Sequence, residues 1–292
     1  MYSYKISRQA KSTSEILVDI KKTLVENEYK SAFSKLAQAL ELPGFRKGKA
    51  PEKLVEKHIQ KEKVYEEVVR SLIPKIYSEI VKKEDLKPIM QPKIELLKAK
   101  ERNDWEVKII VAEKPKVDLG NYKEAIKKVK SEQKNDQIWV PGQKDKKQEP
   151  SEKEKAKKQQ ELLNLILSSI LKEAKVEISD LIIEEELNQR LSNLLTDIQK
   201  IGLTVAKYLQ SKNLTQEQLR QRYRNEIEQT YQLEFILAEL ADKENIKVEN
   251  SDLEKLFTSI TDPKEKESAK ANSYFYASVL RKQKTLDYLL NL

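Results

Sequence analysis

The sequence predicts an α+β domain over residues 1–112, an all-α domain over 151–292 and a charged linker over 113–150 between them. Three observations carry this division. Alternation of apolar and polar residues, the mark of a half-buried strand, occurs in four stretches before residue 113. After Ser151 apolar residues instead recur at three and four positions, as on one face of a helix. Five glycines in 292 residues are too few for a turn-rich all-β fold.

Taken in order, Tyr2, Tyr4 and Ile6, then Ile16, Val18 and Ile20, give two strands that pair as a hairpin. Tyr29, Ala32, Phe33, Leu36 and Leu40 mark one amphipathic helix from about Leu24. A short helix from Pro51 to about His58 follows, then a longer one through Val64, Val68, Leu72, Ile76 and Ile80. Pro74 falls inside the longer helix and should kink or break it. Ile94 with Leu96, and Trp105 with Val107, Ile109 and Val111, supply two more strands. The β-β-α-loop-α-β-β order then closes an α+β domain. From Glu113 to about Gln160, Lys, Glu and Gln fill most positions between scattered prolines and glycines, a composition that cannot bury enough surface to order itself. The Ile138-Trp139-Val140 triplet is the exception there, read as a locally packed tryptophan. Beyond it, Leu162 to Leu171, Leu187 to Ile198 and Leu219 to Leu237 form three apolar helix faces. Ser179 is placed as an N-cap, Gly202 as a C-terminal stop, and Thr215/Gln218 and Ser251/Glu254 as capping boxes. A last helix from about Pro263 carries Tyr274, Phe275, Val279 and Leu289.

The net charge of +8 is unevenly placed: residues 1–112 carry 24 Lys/Arg against 17 Asp/Glu, residues 113–160 carry 14 against 9, and the remainder 18 against 22. The basic excess lies wholly in the first part and the linker, so one module faces anions and the other has a different task. With no cysteine the chain has no disulfide and no thiolate site, in keeping with a reducing cytoplasm. No secretory h-region opens the sequence, and no apolar run approaches the roughly 20 residues that span a bilayer, so a soluble protein is expected.

Chemistry has little to stand on. His58 is the single histidine and reads as structural; no phosphate-cradling or dinucleotide glycine motif is present, and Glu184-Glu185-Glu186 reads as a solvated helix face. Neither cofactor nor metal is expected. One loop, by contrast, is built to touch something. Gly44-Phe45-Arg46-Lys47-Gly48-Lys49-Ala50-Pro51 holds two of the five glycines and three cations in four residues, beside an aromatic with no apolar run to pack into. The glycines allow a tight reversal and Pro51 suits the first turn of the next helix. Such a loop fits an anionic surface with an apolar notch; a solvated basic turn is the plain alternative.

This loop, in its context of two strands and a helix before and a long helix and two strands after, resembles the ribosome-docking signature of the trigger factor family of bacterial chaperones. A more diffuse similarity from about Leu162 to Leu256 resembles that family's helical chaperone domain, and implies that Val117 to about Val129 is an arm reaching toward it. The resemblance implies an ATP-independent chaperone. Its first domain would dock beside the exit tunnel of the large ribosomal subunit, on a ribosomal protein and neighbouring rRNA, through Gly44, Phe45, Arg46, Lys47, Gly48, Lys49 and Pro51. Its helical domain would hold unfolded or nascent chains, with homodimerisation left open. The family's FKBP-like prolyl isomerase domain finds no room between about Ile126 and Leu162, so isomerase activity is expected to be absent. A ribosome- or RNA-binding factor whose helices hold a dedicated protein partner is the other reading.

Overall fold

The computed structural model describes residues 1–48, 51–135 and 152–292. They fall into two units, Met1–Lys114 with Ser179–Ile182, and Pro115–Ile178 with Ile183–Leu292.

The first unit has the mixed architecture expected. Strands β1 (Tyr2–Gln9) and β2 (Thr13–Ile20) form a hairpin; helices α1 (Lys22–Ala39), α2 (Glu52–His58) and α3 (Lys61–Lys83) follow; β3 (Lys93–Lys98) and β4 (Trp105–Ala112) complete an antiparallel sheet of order β1-β2-β4-β3. The register pairs Ile16 with Ile109, Val18 with Val107 and Ile20 with Trp105, so all six project to one face, where all are buried. Val64, Val68, Leu72, Ile73, Ile76 and Ile80 of α3, with Val25 and Ala32 of α1, complete that core. Each such side chain contributes roughly 1.5–3 kcal/mol on burial, so this layer dominates the unit's stability. The opposite face of the sheet carries ion pairs, Lys108–Glu15 at 2.9 Å and Lys98–Glu106 at 2.6 Å, and needs no cover. Aromatic contacts tie the helices to the sheet, Tyr29 to Tyr65 at 4.9 Å and Tyr65 to Trp105 at 5.8 Å between ring centres. Tyr2 and Tyr4 reach from β1 to Glu79 and Glu84, and the hydrogen bond to Glu79 is the chief cause that holds the Tyr2 phenol up to about 12.

Of the kink or break expected at Pro74, the break does not occur: α3 is continuous over 23 residues. The proline costs about 3 kcal/mol in a helix interior. Burial of Leu72, Ile73, Ile76 and Ile80 around it offsets that cost.

The second unit is helical apart from a small antiparallel pair, β5 (Val117–Asp118) with β6 (Lys175–Val176). Helix α4 (Tyr122–Asn135) packs along α5 (Glu152–Glu173). Helix α8 (Gln216–Lys243) meets α5 and α11 (Ser273–Asn291), and α11 also meets α5, α9 (Asn250–Ser259) and α10 (Pro263–Ala271). Helices α6 (Asp180–Lys200) and α7 (Val205–Ser211) precede α8. Buried Ile126, Ile166, Ile170, Ile227, Leu240 and Leu289 make the centre.

Four local expectations change. Residues 115–135 are ordered, not an unstructured run: Leu119, Tyr122 and Ile126 are buried, a stripe that a charge-dominated average hides. The Ile138-Trp139-Val140 triplet lies outside the described residues. The α9 cap sits two residues early, with Glu249 and Asp252 exchanging side-chain and backbone bonds, because a carboxylate complements the positive end of a helix. The last helix is two, divided at Asn272, whose side-chain amide donates to the Ser268 carbonyl at 3.0 Å. Helix α7, capped by Thr204, has no counterpart in the sequence reading. The caps at Thr215/Gln218 and Ser179 are present as expected, and the stop at Gly202 is closed by bonds from Gly202 to Gln199 and from Leu203 to Ile198. No helix among the described residues is long and apolar enough to cross a membrane.

One polar hub joins three helices of the second unit. The Glu244 carboxylate accepts from the hydroxyls of Tyr122 and Tyr288, the latter at 2.6 Å, and pairs with Lys123 at 2.9 Å. Above all the Tyr122 bond, then those from Tyr288 and Lys123, hold its pKa down from an ordinary 4.5 to about 2. A carboxylate with a depressed folded-state pKa contributes stability above its unfolded value and loses it as pH falls toward the folded one. Wild type should therefore lose thermal stability between about pH 4.5 and pH 2 more steeply than Glu244→Gln, with the gap in Tm narrowing across that window in a pH-resolved melting series. Parallel curves would show that the hub does not titrate with unfolding.

Candidate functional site

Between α1 and α2 the structure describes residues 40–48 and 51. Helix α1 ends at Ala39, with Leu40 extended and its N–H donating to Ala37. The chain then reverses through Gly44 (φ +84°) and Gly48 (φ +71°), conformations that an L side chain resists. Gly48 donates to the Leu40 carbonyl at 3.4 Å and Phe45 to the Leu42 carbonyl at 3.1 Å, so the loop is tied at its neck and at its tip. Pro51 is the N-cap of α2, one position earlier than expected, and its carbonyl accepts from Leu54 and Val55. Val55 is buried and anchors the short helix.

The tip is a polar surface with one aromatic in it. Phe45 is 42% exposed, and Arg46, Lys47 and Gly48 are exposed around it. Lys47 lies 3.5 Å from the Glu41 carboxylate, both well exposed, a geometry worth about 0–1 kcal/mol that a partner can displace. Arg46 makes no ion pair with any described residue, leaving its planar fork available for carboxylate or phosphate. Lys49 lies outside the described residues. Gly44, Phe45, Arg46, Lys47, Gly48 and Pro51 are thus brought together on one short loop. What the sequence did not reveal is the loop's seat: a Cβ on Gly48 would meet the Gln38 carbonyl oxygen at 3.0 Å, so the backbone passes close over the last turn of α1. His58 ends α2, exposed, with Nδ1 donating to the Leu54 carbonyl at 2.8 Å. No cluster of metal-ligating side chains occurs among the described residues.

The second unit sorts its apolar residues into core and surface, which the sequence could not do. Leu195, Ile201 and Leu203 at the α6–α7 end are exposed, as are Tyr274, Phe275 and Val279 on α11. A cleft of about 180 Å³ between α6, α7 and α8 is lined chiefly by Leu191, Leu194, Leu195, Ile198 and Leu219, with Tyr208 and Arg220 at polar positions. A second, of about 260 Å³, runs between α8 and α11, floored by Leu237, Ala238 and Ala241 and flanked by Arg281 and Lys282. The run Tyr274-Phe275-Tyr276 was a legible signal, since consecutive helical residues point about 100° apart and cannot all be buried on one face.

The first, α+β unit thus carries a glycine-hinged cationic loop, and the second, helical unit carries exposed apolar side chains. The comparisons give the family. The model described as bacterial trigger factor protein matches residues 2–138, and that described as the bacterial trigger factor C-terminus matches 143–290. The chain belongs to the bacterial trigger factor family. Among curated relatives, the trigger factor of Carboxydothermus hydrogenoformans is 37% identical over 112 residues, 38% of this chain and 26% of that one. That of Natranaerobius thermophilus is 32% identical over 113 residues, 39% and 25%. That of Lactococcus lactis subsp. lactis is 32% identical over 137 residues, 45% and 32%. The matched stretch thus spans about a quarter to a third of these relatives. A solved structure from work on promiscuous substrate recognition by the trigger factor chaperone shares the fold with a TM-score of 0.64, at 16% identity over 98% of this chain and 99% of that one.

The two loop glycines should respond differently to substitution. Gly44→Ala meets open space and bears only the cost of a positive φ, about 1–2 kcal/mol. Gly48→Ala adds the contact with Gln38 and should speed amide exchange at Leu40 and the last turn of α1 well beyond the effect of Gly44→Ala, with β2 and β4 unchanged. Equal exchange in both variants would mean the loop is not seated on α1.

Proposed function

We infer that the protein is an ATP-independent chaperone of the cytoplasm that docks on the large ribosomal subunit beside the exit tunnel and holds nascent or unfolded chains. The observation that carries this is the loop tip: an exposed Phe45 beside an Arg46 with no ion pair among the described residues, on a backbone tied at its neck and at its tip. Such a tip fits a ribosomal protein and adjoining rRNA, with Arg46 and Lys47 on carboxylate or phosphate and Phe45 in an apolar notch. Gly44, Gly48, Lys49 and Pro51 frame it. Family membership supports the same reading. Docking is assigned to residues 1–112 and holding to the helical domain of 151–292, with 113–150 as the connection. The exposed apolar side chains of α6, of the α6–α7 turn and of α11 supply contacts of the kind that adaptable binding needs.

Isomerase activity is inferred to be absent. The two family matches leave only residues 139–142 between them, too few for the twisted sheet and aromatic pocket of an FKBP-like domain.

Two experiments test these assignments. Co-sedimentation with bacterial ribosomes over a salt series should be lost, by about 100-fold or more in affinity, in the combined Phe45→Ala, Arg46→Ala, Lys47→Ala variant with Tm unchanged, since an apolar anchor and two charge-assisted contacts each carry on the order of 1–3 kcal/mol. Undiminished binding by the variant would remove the loop from the interface, and binding that fades in modest salt regardless of the loop would mark a merely basic protein. In proline-limited refolding, catalytic amounts should leave the slow phase, tens to hundreds of seconds, unchanged while stoichiometric amounts suppress aggregation. Acceleration at catalytic amounts would overturn the inferred loss.

A further inference from the structure

The loop between α1 and α2 carries one charge that opposes the rest. Glu41 is the only acid from residue 29 to residue 51. It stands on the limb that leaves α1, and Lys47 on the limb that returns. The backbone bond from the Gly48 N–H to the Leu40 carbonyl closes the neck immediately beside both, so residues 41 and 47 are neighbours across the loop. Their charged groups lie 3.5 Å apart, and both side chains are well exposed. Arg46, by contrast, makes no ion pair with any described residue. Of the two described cations at the tip, one thus has an internal counter-ion and the other has none.

An exposed pair of this kind adds little stability. Its effect falls instead on what the tip can bind. A phosphate that reaches Lys47 must displace the Glu41 carboxylate and then lie close beside it. The neck bond keeps residue 41 next to residue 47, so the displaced acid cannot withdraw far. Along a nucleic acid every neighbouring charge is again a phosphate, and nothing there compensates Glu41. A folded protein surface differs, because one patch can set a carboxylate against Lys47 and a cation against Glu41. The like-charge contact then becomes an exchange of partners, and the carboxylate that Lys47 leaves is not stranded without one in the interface.

We propose that Glu41 is a specificity-determining residue of the docking loop: it cancels Lys47 toward nucleic-acid phosphate and favours a protein surface that offers an acid to Lys47 and a cation to Glu41. That role rests on the reading of residues 44–51 as the docking loop, and it gives the direct contact of the tip to protein, not to rRNA.

The test compares the full chain with its Glu41→Gln variant on two probes, bacterial ribosomes by co-sedimentation and a fluorescent poly(U) oligonucleotide by anisotropy. Glu41→Gln should bind poly(U) about threefold more tightly at about 0.1 M salt, since a repulsive charge beside one phosphate is removed. The slope of log affinity against log salt should steepen by about 0.7, the increment for one further phosphate contact to a single strand. Docking on ribosomes should weaken about threefold, so the preference for ribosomes over RNA falls about tenfold. The charge-reversed variant Glu41→Lys, Lys47→Glu keeps the pair and separates its roles. Amide exchange at Leu40 and poly(U) binding should match wild type, while docking falls about tenfold or more. Equal docking and equal RNA slopes for wild type and Glu41→Gln would make Glu41 a bystander and overturn the proposal. Tighter docking of Glu41→Gln, with the steepening seen on poly(U), would overturn it by giving the tip to rRNA. Wild-type docking by the charge-reversed variant would do so by reducing the pair to a brace for the loop. Failure of the docking reading is seen separately, as ribosome binding that the Phe45/Arg46/Lys47 triple alanine variant leaves unchanged, and it would remove the interface in which Glu41 is placed.

Discussion

The seam between the β2–β4 strand pair and α3 is the constraint from which the first unit follows. Only one face of the sheet is covered, and its cover is the apolar stripe of α3 with part of α1. This explains why a proline is tolerated within α3: the helix is held by what it buries rather than by its own ladder. It also explains why α1 is oriented firmly enough to present a loop. The Tyr29–Tyr65–Trp105 contacts fix α1 and α3 to β4, and the Trp105 indole donates to the Lys100 carbonyl at 3.2 Å, so its buried N–H is satisfied.

The loop inherits that order. A projecting loop with several cations would ordinarily sample many conformations and lose entropy on binding. The neck bond from Gly48 to Leu40 and the close passage over Gln38 remove much of that freedom in advance. Exposure and rigidity are thereby combined: the side chains of Phe45 and Arg46 stay available while the backbone that carries them is set. Two glycines are needed because the chain enters the left-handed region twice within five residues.

Much of this was legible in the sequence, and the exceptions have physical causes. Period-two alternation located the four strands because one sheet face is buried and the other solvated, the condition under which alternation is a reliable sign. The loop was legible because glycine, cations and a stranded aromatic have few other uses together. Order in residues 115–135 was not, because three buried side chains, Leu119, Tyr122 and Ile126, are outvoted by the lysines around them. The α9 cap was misplaced because Ser251 satisfies the same pattern that Glu249 occupies more favourably. Core and surface leucines of the helical unit share one periodicity, so only packing could separate Leu195 from Leu187. The exposure of β3 was likewise hidden: Ile94 and Leu96 alternate as a buried strand would, yet both side chains are exposed.

The placement of exposed apolar groups in the second unit bears on how such a protein could release what it holds. No phosphate-cradling motif supplies a nucleotide-driven step. On the function proposed above, release would come from contacts that are individually weak. Leu195, Ile201 and Leu203 lie near the turn between α6 and α7, and Tyr274, Phe275 and Val279 on α11, all exposed. A fully buried apolar side chain is worth roughly 1.5–3 kcal/mol before the entropy of ordering a chain is subtracted. One group alone would hold an unfolded segment briefly, and affinity would accumulate only when a client spans several, by raising the effective concentration of each next contact. On the function proposed above, as a client folds and withdraws its apolar residues these contacts would fall away one at a time, and release would follow from the client's own burial of the surface that was held.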